Sequence, residues 1–152
     1  MTRRMLTALV ALVGLFVAGY LALYKAGVIG TLACGAGSCE TVQLSRWATL
    51  LGLPVALWGV GYYAVVFLLA FASTLDRWAD SRGLALTLAM LTGWGVVFSA
   101  WLTYLELFVI NAICRYCVVS AGLAVVLFAL ALWDYRASRG GSGALDGALP
   151  PV

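Results

Sequence analysis

Long apolar stretches alternate with short polar ones along this chain of 152 residues. Four stretches are long enough to cross the hydrocarbon core of a bilayer, which takes about 20 apolar residues. They cover residues 5–24, 53–71, 84–108 and 110–133. Because a segment inside a bilayer must satisfy its own backbone hydrogen bonds, each stretch is predicted to be an α-helix. The pattern therefore predicts an all-α, integral membrane four-helix bundle.

The composition supports a membrane protein, since 64% of the residues are hydrophobic and only 10% are charged. Soluble domains carry far more charge. The helices are predicted to form one domain over residues 1–136. The tail, residues 137–152, is rich in Gly, Ser, Ala and Pro and is predicted to be disordered. The first stretch is long for a signal peptide and no clear cleavage motif follows it, so we expect it to be retained.

The distribution of Lys and Arg predicts the orientation, because these residues are enriched in short cytoplasmic loops. With the N-terminus inside, six of the nine fall in cytoplasmic segments: Arg3, Arg4, Arg77, Arg82, Arg136 and Arg139. The other three, Lys25, Arg46 and Arg115, fall outside. Both termini are therefore expected in the cytoplasm of a multi-pass inner-membrane protein. The net charge of +3 follows from this topology and does not indicate nucleic-acid binding.

In this orientation all four cysteines face the extracytoplasmic side, where disulfides persist. Cys114 and Cys117 form a C-x-x-C pair at the predicted start of the fourth helix. The positive end of that helix and the neighbouring Arg115 favour the thiolate form. Between Cys34 and Cys39 lie four small residues, which make this pair mobile. One mobile and one anchored pair on the same side indicate a redox relay.

Two other interpretations remain open from the residues alone. The cysteines could form structural disulfides in a non-catalytic membrane subunit, or all four thiolates could hold a metal. A C-x4-C pair is long for zinc, and the chain has no histidine, the commonest metal ligand. A haem would need an axial ligand, and Met90 lies well inside the third helix. We therefore expect neither a metal nor a haem.

The order of motifs resembles the vitamin K epoxide reductase family, particularly its bacterial members. Cys34 and Cys39 are followed by Ser-Arg-Trp at 45–47, then GLPVALWG at 52–59 and YLELFVINAICRYCVVS at 104–120. The resemblance covers roughly residues 10–133. In the DsbB-type oxidases the C-x-x-C pair comes in the first outer loop instead, so the order here argues against that family.

This resemblance implies a bundle around a membrane quinone, with a short half-helix in the first extracytoplasmic loop, here Glu40–Gly52. It also implies a direction of electron flow. Cys34 would exchange with a thioredoxin-like (DsbA-like) partner, Cys39 would reduce Cys114, and Cys117 would reduce menaquinone or ubiquinone. Many bacterial relatives carry a fused thioredoxin-like domain after the last helix. None follows here, so the partner is expected in trans.

Three side chains are candidates for quinone binding on the same resemblance. Ser45 occupies the family's serine position and is the leading hydrogen-bond donor, although a helical serine can instead bond to a carbonyl one turn back. Trp58 and Tyr62 match positions of ring-packing aromatics, although aromatic residues at helical spacing often serve packing or interface anchoring. Glu106, near the end of the third helix, is expected at the outer interface rather than in a proton path.

Two departures from the animal relatives bear on the substrate. Those relatives have an asparagine where this chain has Val55 and a tyrosine where it has Ala121. Neither side chain here can donate a hydrogen bond. The sequence therefore favours a simple quinone acceptor over an epoxide. We predict a membrane thiol–quinone oxidoreductase that supports disulfide bond formation.

Overall fold

The computed structural model describes residues 3–34, 38–75 and 81–146, with the backbone alone described over 140–146. Five α-helices follow one another along the chain: α1 (Arg3–Lys25), α2 (Ser38–Leu44), α3 (Val55–Ala72), α4 (Arg82–Leu105) and α5 (Arg115–Asp146). Between α2 and α3 lie a 3₁₀ turn, Arg46–Ala48, and two short antiparallel strands, β1 (Thr49–Leu50) and β2 (Leu53–Pro54).

The helices α1, α3, α4 and α5 are long and apolar enough to cross a membrane, which confirms the predicted four-helix architecture. The apolar runs locate α1 and α3 to within two residues at each end. The start of α4 is fixed by Ser81, whose hydroxyl accepts the backbone N–H of Leu84. Such a cap satisfies one of the donors that a helix start leaves free.

Small side chains dominate the core of the bundle. The buried alanines come from all four spanning helices: Ala8, Ala11, Ala18, Ala70, Ala89 and Ala131. Within a bilayer, small residues at an interface let helix backbones approach closely, so that packing replaces the hydrophobic effect as the force between helices. Accordingly α1 packs against α3 and α5, and α5 packs against α4.

Tyr63 joins three helices at the middle of this core. Its ring occupies the space where a side chain on Gly14 of α1 would lie, so that position admits only glycine. Its hydroxyl donates to the carbonyl of Ser120 on α5, 2.7 Å away. This contact connects α1, α3 and α5 through one buried side chain.

By contrast, α3 and α4 make few contacts with each other. Large apolar side chains remain exposed on both sides of the gap: Trp58 and Val65 on α3, and Trp94 on α4. We call this gap the α3–α4 seam. The bundle is thus closed on its other sides and open along one.

A polar contact connects α1, α3 and α5 at the end of the bundle away from the cysteines. Arg4 Nε lies 3.2 Å from a carboxylate oxygen of Asp134. The same guanidinium donates to the carbonyl of Ser73, just after α3, at 2.8 Å. We call these three residues the Arg4 cluster.

The fourth predicted helix differs from the structure at both ends. The helix of the fourth stretch begins at Arg115, whereas the apolar run predicted a start near residue 110. The same helix continues to Asp146, past residue 136, after which the tail was predicted to begin, while residues 147–152 lie outside the described residues. The glycines of this segment lower helix propensity, but each added residue still contributes a hydrogen bond to an existing helix.

Candidate functional site

The first pair of cysteines is a disulfide in the loop between α1 and α3. Cys34 and Cys39 are bonded, with their Cα atoms 6.1 Å apart. Cys39 lies in the first turn of α2, and its side chain is 1% exposed. Val42 and Gln43 are buried on the same helix face, three and four residues further on. This face of α2 is turned toward the bundle.

The predicted half-helix, Glu40–Gly52, is shorter than expected. Ser45 ends α2, since both its backbone N–H and its hydroxyl donate to the carbonyl of Val42, at 3.2 and 2.7 Å. Leu51 and Gly52 then adopt left-handed backbone conformations, with φ of 55° and 82°. Two such residues form the tight hairpin between β1 and β2. A helix cannot pass through that turn, so α2 stops at Leu44.

The second pair lies at the start of α5, as predicted. Cys114 occupies the cap position, because its carbonyl accepts the N–H of Val118 at 3.0 Å. Cys117 follows within the first turn, and both thiols are free. The hydrogen bond from the Cys117 thiol lowers the pKa of Cys114, and backbone N–H groups of the first turn add to this effect against the opposing influence of burial. The Cys114 thiol, at the capped start of α5, therefore ionises more readily than an ordinary thiol.

The two pairs meet in one apolar cluster above the bundle. Cys39 and Cys114 are both buried within it, at 1% and 0% exposure. Cys34 and Cys117 pack against it and are less buried. Each pair thus has one member buried within the cluster and one more accessible member packed against it.

A cavity of about 630 Å³ lies below this cluster, between α3 and α4 and under α2 and the hairpin. Cys117 forms part of its wall, together with the predicted quinone residues Ser45, Trp58 and Tyr62. The volume falls within the range of about 300–1,000 Å³ that is usual for small-molecule sites. Val55 and Ala121 also line it.

The hydrogen bonds of two predicted binding residues are already used within the chain. The Ser45 hydroxyl donates to the Val42 carbonyl at 2.7 Å, which is the alternative geometry considered for a helical serine. Its oxygen can still accept a bond, but its hydrogen is engaged. The indole N–H of Trp58 donates to the Leu50 carbonyl at 3.3 Å, so Trp58 offers the cavity an aromatic surface rather than a donor.

Tyr62 differs from both. Its hydroxyl is buried and has no hydrogen-bond partner among the described residues. A Cβ at Gly95 of α4 would collide with this hydroxyl, so the glycine creates the space that it occupies. An unsatisfied buried hydroxyl costs about 1–3 kcal/mol. A ligand that accepted its proton in a hydrogen bond would remove this cost.

The sequence did not identify two polar residues that contact the second pair. Glu106, expected at the outer interface, is only 5% exposed. Its carboxylate accepts the N–H of Cys114 at 3.1 Å. The side-chain amide of Gln43 points at the Cys117 sulfur, with nitrogen and sulfur 3.8 Å apart.

Local geometry explains why these two were missed. Residues Glu106–Ile110 form a π-helical turn after α4, and the wider turn changes which residues face the bundle. Hydropathy carries no sign of that change. For Gln43 a signal existed, since it follows Cys39 by four residues and thus shares its face of a helix.

The disulfide between Cys34 and Cys39 also bears on a metal site made of four thiolates. Two of the four sulfurs are bonded to each other and are not thiolates. Across residues 3–34, 38–75 and 81–139, whose side chains the structure describes, no group of three or more His, Cys, Asp or Glu side chains is placed to hold a metal.

The comparison with known families agrees with this arrangement. The model of the vitamin K epoxide reductase family matches residues 5–132. The matched region includes all four cysteines, the cavity and each residue that lines it. It covers most of the 152-residue chain. The chain therefore belongs to the vitamin K epoxide reductase family.

Proposed function

We propose that this oxidoreductase takes electrons from a thioredoxin-like (DsbA-like) protein and delivers them to a membrane quinone, so that it supports disulfide bond formation. One observation carries the proposal. The two cysteine pairs share a cluster through Cys39 and Cys114, and Cys117 alone of the four sulfurs lines the large apolar cavity. Electrons that enter through the first pair can thus leave through a sulfur next to a ligand site.

Disulfide exchange accounts for the first half of the reaction. A donor thiolate attacks the Cys34 sulfur, which breaks the bond to Cys39 and forms a mixed disulfide. The second donor thiol releases Cys34, leaving the donor oxidised and the outer pair reduced. Cys39 then attacks Cys114 of an oxidised inner pair, and Cys34 resolves that bond. Two electrons reach the inner pair, and the outer disulfide is restored.

Oxidation of the inner pair completes the cycle. Cys114 and Cys117 form a disulfide, and the two electrons and two protons convert a quinone to a quinol. The redox state in the structure, with a disulfide at Cys34–Cys39 and free thiols at Cys114 and Cys117, is the state expected just before this step.

The cavity supports a quinone as the acceptor. It is large, mainly apolar, and bordered by the α3–α4 seam, which offers a route to the lipid phase for an isoprenoid tail. Because Val55 and Ala121 cannot donate a hydrogen bond, the free hydroxyl of Tyr62 is the donor we assign to a quinone carbonyl. The Ser45 hydroxyl, whose hydrogen is already engaged, can only accept a hydrogen bond. We therefore favour menaquinone or ubiquinone over an epoxide.

The partner would approach the outer loop. Cys34 is the less buried member of its pair, and a donor thiol in line with its sulfur would displace the more buried Cys39. With both termini in the cytoplasm, as the Lys and Arg distribution predicts, this loop faces the compartment in which secreted proteins are oxidised.

Turnover of purified protein in lipid nanodiscs tests the proposal. The assay supplies a reduced thioredoxin-like donor and either a ubiquinone or a menaquinone analogue, and follows quinone absorbance. We expect quinone loss to match donor oxidation one to one, and thiol trapping to show a mixed disulfide at Cys34. The same protein with Cys114 and Cys117 both changed to Ser is the control. If the native protein reduces neither quinone, and its cysteine state does not respond to the donor, it is instead a non-catalytic subunit with structural disulfides.

A further inference from the structure

Glu106 has no role in the scheme above, yet it is the only buried carboxylate among the described residues. It begins the π-helical turn Glu106–Ile110, which places its side chain toward α5 instead of the lipid. Within the described part of the chain the only ion pair is that of Arg4 and Asp134, so no cation compensates Glu106. A buried charge without a partner is costly, which favours a group that gains and loses a proton.

The chain holds this carboxyl against Cys114 and beside the cavity that Cys117 lines. One carboxylate oxygen accepts the backbone N–H of Cys114 at 3.1 Å. Asn111, in a left-handed conformation with φ of 54°, turns the backbone so that Cys114 comes back over Glu106. Glu106 lines the same cavity as Cys117.

The reaction needs such a group because protons must move with the electrons. The inner dithiol loses two protons on forming a disulfide, and the quinone gains two. Histidine, the usual base for this purpose, is absent from the sequence. Gln43, the other polar side chain at Cys117, cannot take up a proton from a thiol.

We propose that Glu106 is the catalytic proton-transfer residue of quinone reduction, accepting the proton of the Cys117 thiol and returning it to an oxygen of the reduced quinone. This inference rests on the proposed function and deepens it. As the Cys114–Cys117 bond forms, the two electrons that the dithiol loses pass to the quinone. The Cys114 proton leaves to water at the outer loop, and the second quinone oxygen takes one proton from water, so that atoms and charges balance.

Glu106→Gln tests this step while preserving the shape of the side chain. The amide oxygen can still accept the N–H of Cys114, but the side chain no longer exchanges a proton. Protein is reduced beforehand and mixed rapidly with a quinone analogue, and formation of the Cys114–Cys117 disulfide is followed against pH, in ordinary and heavy water. General acid–base catalysis contributes about 100- to 10,000-fold, so we expect Glu106→Gln to slow this step at least 100-fold.

Two other readouts separate proton transfer from a structural role. The solvent isotope effect and the pH dependence of the native step should change in Glu106→Gln, while exchange of the donor with Cys34 stays at the native rate. Glu106→Asp, which keeps a carboxyl, should recover part of the rate. Glu40→Gln removes a carboxylate from α2, outside the cavity, and is the matched control.

The outcomes distinguish this inference from the proposed function. If the native protein reduces quinone, and Glu106→Gln does so within threefold of the native rate and with an unchanged pH profile, the role of Glu106 is overturned but the proposed function stands. Equal rates for Glu106→Asp and Glu106→Gln overturn that role as well. Native protein that reduces no quinone overturns the function and, with it, this step.

Discussion

The two cysteine pairs differ in almost every physical respect except their chemistry. Cys34 and Cys39 are bonded and belong to a loop with a short helix, while Cys114 and Cys117 are free and belong to the first turn of a long helix. Exposure decreases from Cys34 toward the centre of the cluster, and Cys117 lies next to the cavity. In the proposed function the outer pair therefore meets a protein partner and the inner pair a small molecule.

The different positions of the two pairs favour one direction of electron flow in the proposed relay. A pair on a loop can change its position to reach a second protein. A pair on a helix start has fixed geometry and a stabilised thiolate at Cys114. In the proposed relay the direction of electron flow then depends on access, because Cys34 is the more accessible sulfur of the outer pair and Cys117 lines the cavity.

Removing one sulfur from each pair should separate the two halves of the reaction, with the largest effects expected here. Cys117→Ser should lose both donor-driven turnover and the reaction of reduced protein with quinone, each by more than about 1,000-fold, because its sulfur is the covalent reactant. Cys34→Ser should lose donor-driven turnover to the same extent but keep the quinone half-reaction. Rapid mixing of reduced protein with quinone measures the difference. Equal loss of the half-reaction in both variants would show that the pairs do not act in sequence.

The neighbouring tyrosines Tyr62 and Tyr63 provide a test of intermediate size, since one hydroxyl is free and the other is bonded. Tyr62→Phe should raise KM for quinone about tenfold and stabilise the ligand-free protein by about 1 kcal/mol, because it removes an unsatisfied buried group. Tyr63→Phe should instead lower stability by about 1 kcal/mol, because it loses the bond to Ser120, with little change in KM.

Thermal unfolding in nanodiscs measures the opposite changes in stability, and quinone titration measures the change in KM. A Tyr62→Phe variant with an unchanged KM would remove Tyr62 from the quinone site, whatever its stability. A Tyr63→Phe variant as stable as the native protein would show that its hydrogen bond contributes nothing.

The smallest effect should come from the Arg4 cluster, at the end of the bundle away from both pairs. Asp134→Asn removes a partly exposed ion pair and should lower the free energy of unfolding by about 0.5–1 kcal/mol. Quinone reduction and thiol exchange should stay at native rates. Arg136→Gln, an exposed charge on the same helix, is the control for stability. A changed rate in Asp134→Asn would mean that the two ends of the bundle are coupled.

The sequence predicted the spanning helices well and the connections poorly. The apolar run at residues 5–24 marks α1 to within two residues because the bilayer requires a minimum length of apolar helix. The same argument says nothing about the turn at Leu51 and Gly52 or the continuation of α5 to Asp146. Those depend on backbone conformation and on local hydrogen bonds, which composition does not determine.

The site was predictable where chemistry depends on residue type and unpredictable where it depends on orientation. The four cysteines stand out as thiols in an apolar chain, and three candidate quinone residues do line the cavity. The engaged hydroxyl of Ser45 and the free one of Tyr62 could not be told apart in sequence. The buried position of Glu106 could not be predicted, because it depends on the π-helical turn, which shifts the register of a helix without changing its hydropathy.

The α3–α4 seam has a consequence for how rates on this protein should be expressed. A site that is filled sideways from the hydrocarbon phase encounters its acceptor at the concentration found among lipids, not at the concentration in the whole sample. Adding empty lipid at constant total quinone dilutes the acceptor in that phase, and the apparent affinity falls although nothing in the protein has changed. On the proposed function, saturation is therefore described by the mole fraction of quinone in the bilayer, and the membrane acts as a second reservoir of substrate.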